Sequence, residues 1–308
     1  MTRTADTGGT EDTGGTEGAG GPTFGSIQEV RAGLARVGYV ADERIAGVVY
    51  LADRLQKPVL VEGPAGTGKT QLAKSVAEMA GSRLIRLQCY EGLDEAKALY
   101  EWNYRKQLLR IQAEQSASTW ADLEADIFSE PFLLTRPLLE AIRSEQPVVL
   151  LVDEIDRVEL ETEALLLEVL SEYQVSIPEL GTVRARQVPM VFLTSNNTRE
   201  LSEALKRRCL YLHVDYPELA REREIVLKRV PGVSEELADQ VARIVRSLRS
   251  LELRKPPSVA ETLDWARTLV VLGIESVDAA SAKDTLHVLL KYRQDIERAA
   301  KELLAADA

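Results

Sequence analysis

The segment that most constrains this chain is residues 63–70, which fits the phosphate-binding pattern G-x-x-x-x-G-K-S/T in full. It lies between a short apolar run at 58–61, typical of a buried strand, and a helix-forming stretch at 71–77. Such a loop directs backbone N–H groups at an anion, next to a helix N-terminus whose partial positive charge favours phosphate. The competing interpretation is a glycine-rich turn without a ligand. The residues predicted to hold a nucleotide are Gly63, Pro64, Ala65, Gly66, Thr67, Gly68, Lys69, Thr70 and Gln71.

Length and composition predict a folded protein without a membrane span. The 308 residues can form one large or two ordinary domains, and 45% of them are hydrophobic. No apolar run is long enough to cross a bilayer, and the first residues lack the apolar stretch of a signal peptide, so we expect a cytoplasmic protein. A net charge of −11 argues against a dedicated surface for nucleic acid or anionic membranes.

Cysteine and histidine are scarce. The two cysteines, Cys89 and Cys209, lie in or beside apolar stretches, which favours buried free thiols over a disulfide. His213 and His287 are the only histidines, so we expect no histidine-rich metal cluster.

Three regions follow one another along the chain. Residues 1–25 repeat Gly, Thr, Glu and Asp and predict a disordered tail. Residues 26–215 alternate helical patterns with apolar runs, which predicts an α/β fold with a parallel sheet covered on both faces. Residues 216–308 show helical patterns throughout and predict an all-helical second domain. The predicted strands are 58–62, 84–89, 147–152, 190–194 and 210–214, with a hairpin at 174–189.

Two acids end one of the predicted strands. Asp153 and Glu154 follow an apolar run, and the carboxyl ends of parallel strands face the crevice where α/β sheets bind ligands. Asp153 can hold Mg²⁺, directly or through water, together with the Thr70 hydroxyl, while Lys69 neutralises phosphate oxygens. Glu154 is placed to activate the attacking water as a general base. We therefore expect ATP and Mg²⁺ as ligands.

A polar amide follows the next predicted strand. Asn196 comes just after the strand at 190–194, where its side chain can orient water or contact the γ-phosphate. The competing interpretation is an ordinary turn, for which Asn-Asn is common.

These segments together resemble the AAA+ ATPases. The resemblance covers the chain from about Gly38 to its C-terminus and implies a P-loop NTPase core of αβα type with an all-helical lid at 216–308. Several further stretches are similar to the MoxR group, and the residues at 177–182 with the closing helical block are closest to its CoxD-type members. The stretches that carry the resemblance are 63–70, 150–154, 165–175, 177–182, 194–196 and 203–208.

The resemblance also implies an assembly and residue roles. AAA+ proteins form rings, usually hexameric, with nucleotide between neighbouring subunits. Asn196 would occupy the sensor-1 position, and Arg208, assisted by Arg207, would be the arginine finger that reaches the next subunit's site. By itself, a basic cluster such as residues 206–208 is more often a solvated surface.

Partners follow from the same resemblance. MoxR proteins act on protein clients, commonly beside a partner with a von Willebrand A domain. CoxD-like relatives are associated with assembling the metal centre of a molybdenum-containing dehydrogenase. The resemblance therefore implies a chaperone-like remodelling or maturation factor.

One expected residue is missing. Typical MoxR lids carry a sensor-2 arginine at the start of a late helix, but the matching positions here are Ala260 and Glu261. Arg254, Lys255 and Arg267 are candidates to replace it, and spacing selects none of them.

Two other classes of function remain open. A nucleic-acid motor can use the same core, although the acidic balance and the lack of an added basic domain disfavour it. A P-loop kinase would need an acceptor pocket and no adjacent water-activating acid. A GTPase is disfavoured because the Asn-Lys-x-Asp guanine signature is missing from the sequence.

Overall fold

The computed structural model describes residues 23–113 and 120–306. Most of the tail predicted at 1–25 lies outside these residues. Its last part packs on the globular core, since the backbone N–H groups of Thr23 and Phe24 donate to the Asp53 carboxylate at 3.0 and 2.9 Å. The Phe24 side chain is buried.

Five parallel strands form the central sheet, as the alternating pattern predicts. Their order in the sheet is β2-β5-β8-β1-β9, and each lies within one residue of a predicted strand. Because β5, β8 and β1 are neighbours, their carboxyl ends meet at one edge, where functional side chains converge. The strands are β1 (Val59–Glu62), β2 (Arg83–Gln88), β5 (Val148–Asp153), β8 (Met190–Ser195) and β9 (Leu210–His213).

Two antiparallel pairs accompany the main sheet. The hairpin predicted at 174–189 is confirmed as β6 (Gln174–Ile177) paired with β7 (Gly181–Arg184). The pair β3 (Tyr100–Trp102) and β4 (Leu133–Thr135) has no counterpart in the predicted strands. A three-residue strand is too short to show the period-two pattern that predicts strands.

Helices cover both faces of the sheet, because successive strand residues point to opposite sides. Val59 and Val61 pack in one buried cluster with the first three helices, whereas Leu60 belongs to a second cluster on the other face with α7 and α8. The helices of this part are α1 (Ile27–Arg36), α2 (Glu43–Leu55), α3 (Lys69–Met79), α4 (Glu95–Ala98), α5 (Tyr104–Ala113), α6 (Trp120–Ile127), α7 (Pro137–Ile142), α8 (Leu160–Glu172) and α9 (Glu203–Lys206).

A helical lid with its own core follows β9. Trp265 is fully buried at its centre, and its indole N–H donates to the Thr285 hydroxyl at 2.8 Å, which satisfies the one polar atom of the side chain. Between Leu219 and Ala306 every regular element is a helix, as the sequence predicts. The lid helices are α10 (Leu219–Arg229), α11 (Glu235–Ser250), α12 (Val259–Val271), α13 (Ala279–Leu289) and α14 (Arg293–Ala306).

Both cysteines are free thiols, as expected from their apolar surroundings. Burial raises the pKa of Cys89 and of Cys209 to about 12. Among the helices at 23–113 and 120–306, none combines the length and the apolar character needed to cross a membrane.

Candidate nucleotide-binding site

The loop between β1 and α3 has the backbone shape that its glycines allow. Gly63, Gly66 and Gly68 have φ values of 149°, 75° and 95°, a region that L side chains rarely adopt. Space also requires glycine at position 63, because a Cβ there would lie 2.0 Å from the carbonyl oxygen of Val214. The loop leads directly into the N-terminus of α3 at Lys69. Backbone and helix end therefore form an anion cradle.

Lys69 lies within this loop and is buried. Its Nζ donates to the carbonyl oxygens of Gly63 and Pro64, each at 2.7 Å. Burial lowers the pKa of Lys69, while the nearby acids Asp156, Asp153 and Glu154 act in the opposite direction. Since its present acceptors are neutral carbonyls, the ammonium can exchange them for charged phosphate oxygens, which bind it more strongly.

Thr70 and Asp153 meet across the edge of the sheet. The Thr70 hydroxyl donates to Asp153 Oδ1 at 2.9 Å, and the Thr194 hydroxyl donates to the same oxygen at 2.5 Å. Octahedral Mg²⁺ holds ligand oxygens at about 2.1 Å, which sets neighbouring ones about 3 Å apart. The separation of the Thr70 and Asp153 oxygens fits that geometry, and a hydroxyl plus a carboxylate is a donor set that Mg²⁺ accepts.

Glu154 follows Asp153 in a left-handed backbone conformation with φ 58°. A hydrogen bond to the neighbouring strand stabilises this conformation, because the Glu154 N–H donates to the Thr194 hydroxyl at 2.9 Å. Its carboxylate Oε2 accepts from Arg157 Nε at 2.6 Å and from Gln88 Nε2 at 3.4 Å. Within residues 23–113 and 120–306 both contacts fall on Oε2, which leaves Oε1 able to accept from a water molecule.

Asp156 positions the segment that contains Asn196. One carboxylate oxygen, Oδ2, accepts from the backbone N–H of Asn196 at 3.2 Å and from the backbone N–H and hydroxyl of Thr198 at 3.0 and 2.6 Å. Burial favours the neutral acid, but these hydrogen bonds outweigh it and lower the pKa of Asp156. The predicted sensor residue is thus held at the end of β8 by an acid that the sequence analysis passed over.

Most of the predicted site residues line one cleft of about 460 Å³, a size suited to a nucleotide, whereas Gly63 and Pro64 lie outside its lining. Ala65 through Gln71 line it, together with Asp153, Glu154 and Asn196. The remaining walls come from residues 38–40, from Lys74 and Thr194 and from the lid, where the sequence analysis had considered only Arg267 as a contact. The missed lid residues Arg221, Ile225 and Arg229 recur every four positions and so share one face of α10, but that spacing does not show what the face meets.

The family of the chain follows from its match to a family profile. The profile described as "ATPase family associated with various cellular activities (AAA)" matches residues 59–215, just over half of the chain. The chain belongs to the AAA family. The predicted AAA+ core is thereby confirmed, whereas the MoxR and CoxD assignments remain predictions.

Relatives of this AAA protein include two uncharacterized proteins of Staphylococcus aureus, from strains bovine RF122 / ET3-1 and USA300. Each is 24% identical over 233 residues, which cover 72% of this chain and 81% of the relative. Among solved structures, the chain is similar to Thermotoga maritima RuvB, described as a Holliday junction branch migration motor. That likeness has a TM-score of 0.46 and 16% identity, and covers 85% of this chain and 69% of the other.

The lid of this AAA protein brings one of the three sensor-2 candidates to the cleft. Arg267 lines it and pairs with Asp264 at 2.9 Å. Arg254 instead stacks on the Tyr292 ring at 4.2 Å, and Lys255 pairs with Glu261 at 2.9 Å. Of the three, only Arg267 lines the cleft of this AAA protein.

The two arginines predicted as fingers do not line the cleft of their own chain. Arg208 donates to the Ser171 hydroxyl and, at 2.9 Å, to the carbonyl oxygen of Ala204. Arg207 is exposed at the surface of this AAA protein. Their role towards a neighbouring subunit stays a prediction.

Proposed function

We propose that this AAA protein binds Mg·ATP and hydrolyses it to ADP and phosphate. The observation that carries the proposal is the convergence of Lys69, the Thr70–Asp153 pair and Glu154 on one cleft, from segments more than eighty residues apart in the chain. The three groups supply the anion cradle, the metal ligands and the water activator that phosphoryl transfer to water requires.

Each residue has a distinct part in this reaction. Glu154 accepts a proton from water as the water oxygen attacks the γ-phosphorus, and the bond to the β–γ bridging oxygen breaks. Lys69 and the loop N–H groups stabilise the charge on the phosphate oxygens, and Asn196 orients the water or the γ-phosphate. Thr70 and Asp153 would hold a magnesium ion, which would supply positive charge to the phosphate oxygens when bound.

We further propose a ring, usually hexameric in related proteins, in which Arg208, assisted by Arg207, completes the neighbouring subunit's site. The support is that neither arginine reaches the cleft of its own chain, where the lining cations are Lys69 and Lys74 of the core and three lid arginines, Arg221, Arg229 and Arg267. Positive charge from a neighbour makes hydrolysis depend on assembly.

The biological role that we propose is chaperone-like remodelling of a protein client, in the manner of MoxR proteins. The support is the resemblance of residues 165–183 and 203–208 to that group. The CoxD-like sequence of residues 177–182 extends the proposal to assembly of the metal centre of a molybdenum-containing dehydrogenase, beside a partner with a von Willebrand A domain.

Two substitutions test the hydrolysis proposal. Lys69→Ala removes the buried ammonium and should abolish both nucleotide binding and turnover. Glu154→Gln keeps the shape of the side chain but removes the base, so it should bind Mg·ATP and release no phosphate. Turnover in Glu154→Gln at the wild-type rate contradicts the assignment of the base. A phosphorylated small molecule in place of free phosphate would indicate a kinase.

Mixing two inactive variants tests the ring. In a mixed ring, a Glu154→Gln subunit still donates its Arg208, and an Arg208→Ala subunit still has Glu154. Roughly a quarter of randomly mixed interfaces then contain both groups, so activity should reappear on mixing. No recovery after subunit exchange, with each variant assembling normally, would place Arg208 outside the neighbouring site.

A further inference from the structure

Arg86 lies directly beside the predicted magnesium ligand. β2 and β5 are paired in parallel, with Gln88 opposite Asp153, and Arg86 points to the same face as Gln88 because the two are two residues apart. The guanidinium donates to Asp153 Oδ2 from Nε at 3.0 Å and from the terminal nitrogen at 2.5 Å. The terminal nitrogen also contacts the Gln88 side-chain oxygen.

With these contacts, both carboxylate oxygens of Asp153 accept hydrogen bonds. The Asp153 side chain is only 3% exposed, its Oδ1 accepts the Thr70 and Thr194 hydroxyls, and its Oδ2 accepts Arg86. A buried carboxylate requires a countercharge. Lys69 does not provide one by contact, because its Nζ donates to the carbonyl oxygens of the loop. In the described part of the chain, Arg86 is the cation in contact with Asp153.

The Arg86 side chain can also move away from Asp153 into solvent. It is 45% exposed, and its other contact, Gln88, is exposed as well. A guanidinium that is already half in solvent becomes fully hydrated when it is displaced, so no unpaired cation stays buried, in contrast to a fully buried ion pair.

We propose that Arg86 is a resident cation that holds Asp153 in the absence of magnesium and competes with Mg²⁺ for it. The inference rests on the proposed function, since it assumes that Mg·ATP is the ligand. Arg86 neutralises and orients Asp153, and its charge repels a dication placed at the same carboxylate. The competition therefore raises the Mg²⁺ concentration that is needed for half-maximal binding of Mg·ATP.

The test measures binding of a fluorescent ATP analogue to the full-length protein while Mg²⁺ is titrated. Arg86→Gln removes the charge and keeps a hydrogen-bond donor, so the half-saturating Mg²⁺ concentration should fall several-fold. Arg86→Lys keeps the charge but has fewer hydrogen-bond donors, so its half-saturating Mg²⁺ concentration should lie between those of Arg86→Gln and the wild type. Arg83→Gln is the matched control, because Arg83 is on the same strand but pairs with Glu140 on the surface, and its midpoint should equal that of the wild type.

A second measurement uses the unmodified protein. The Nε–H of Arg86 should give a protected NMR signal without metal, and addition of Mg·ATP should increase its exchange with solvent. This readout keeps the inference testable if Arg86→Gln does not fold.

The outcomes separate the two proposals. An unchanged or higher Mg²⁺ midpoint in Arg86→Gln, with wild-type nucleotide binding intact, overturns the role of Arg86 alone. Unchanged protection of the Arg86 Nε–H on addition of Mg·ATP does the same. A wild-type protein that takes up no nucleotide at any Mg²⁺ concentration overturns the proposed function and this inference together.

Discussion

Gly66 in the phosphate-binding loop packs against Ser258, the residue that caps the N-terminus of α12 in the lid. A Cβ on Gly66 would lie 2.5 Å from both Cβ and Oγ of Ser258. The Ser258 hydroxyl accepts from the Glu261 N–H, so the contact joins the loop to a fixed helix end. The position of the lid and the position of the phosphate-binding loop are therefore linked at this contact.

We expect Gly66→Ala to weaken nucleotide binding and stability more than its backbone conformation alone explains. The left-handed φ of 75° costs about 1 kcal/mol for alanine, and the clash with Ser258 adds to it. Gly181→Ala is the matched control, since Gly181 has φ 80° and no neighbour within 4 Å. Urea unfolding and nucleotide Kd measure the difference.

A second-site change isolates the contact. Ser258→Gly removes the obstructing atoms and costs only about a few tenths of a kcal/mol as a cap. The penalty of Gly66→Ala should therefore shrink in the Ser258→Gly background. Equal penalties for Gly66→Ala in both backgrounds would show that the loop and the lid do not interact there.

Arg267 should distinguish ATP from ADP. A guanidinium that reaches the γ-phosphate contributes a charge-assisted hydrogen bond of about 1.5–3 kcal/mol. Arg267→Ala should therefore weaken ATP about tenfold or more and leave ADP nearly unchanged, as measured by competition binding. Arg243→Ala removes a similar intrahelical pair with Asp239 on α11 and should change neither affinity. An equal loss of affinity for ATP and ADP would show that Arg267 does not contact the γ-phosphate specifically and contributes only general positive charge.

The buried pair of Arg249 and Glu222 should dominate the stability of the lid. Two hydrogen bonds of 2.5 and 2.8 Å join them, and Glu222 is 1% exposed. Arg249→Met leaves that carboxylate unpaired and should cost about 3–5 kcal/mol in urea unfolding. Arg223→Met breaks a more exposed pair with Glu235 and should cost less than about 1 kcal/mol. Similar losses of unfolding free energy in the two variants would contradict a dominant role of the buried Arg249–Glu222 pair.

Asp156 makes the Asn196 segment sensitive to acid. Its folded-state pKa lies below the usual 3.8, so its contribution to stability is present above about pH 4 and is lost as pH falls through the folded value. Thr198→Val removes one of the stabilising hydrogen bonds and should cost about 1 kcal/mol at neutral pH. That difference should narrow as the pH falls through the lowered pKa of Asp156, because the carboxylate is then protonated. A pH-independent difference would exclude the ionised form of Asp156 as the cause.

The sequence predicted the parts of the site that are contiguous in the chain. The glycine loop and Lys69 form one motif whose geometry is local, because φ values and helix initiation depend on neighbouring residues. Asp153 and Asn196 were predicted because each ends a recognisable strand, and parallel strands bring their carboxyl ends to one edge. The hairpin near Gly181 was likewise a local pattern.

Contacts between distant segments were beyond the sequence patterns. Asp156 was passed over, since its partners Asn196 and Thr198 lie about forty residues away, just after the end of β8. Three basic residues were equal candidates for the missing lid arginine until the packing of α12 placed Arg267 in the cleft. The motif pattern names Asp153 but does not show that Arg86 binds it.

The amino-acid sequence by itself determined an anion cradle, an acid pair at a strand end and an α/β core followed by helices, because these follow from short-range periodicity and backbone preference. Only the tertiary structure decided which cations face the nucleotide and which hold the acids. Those contacts depend on strand order, on the register of β2 against β5 and on the seating of the lid over Gly66. Such long-range packing is specified by the whole buried core, and no single segment of the chain encodes it.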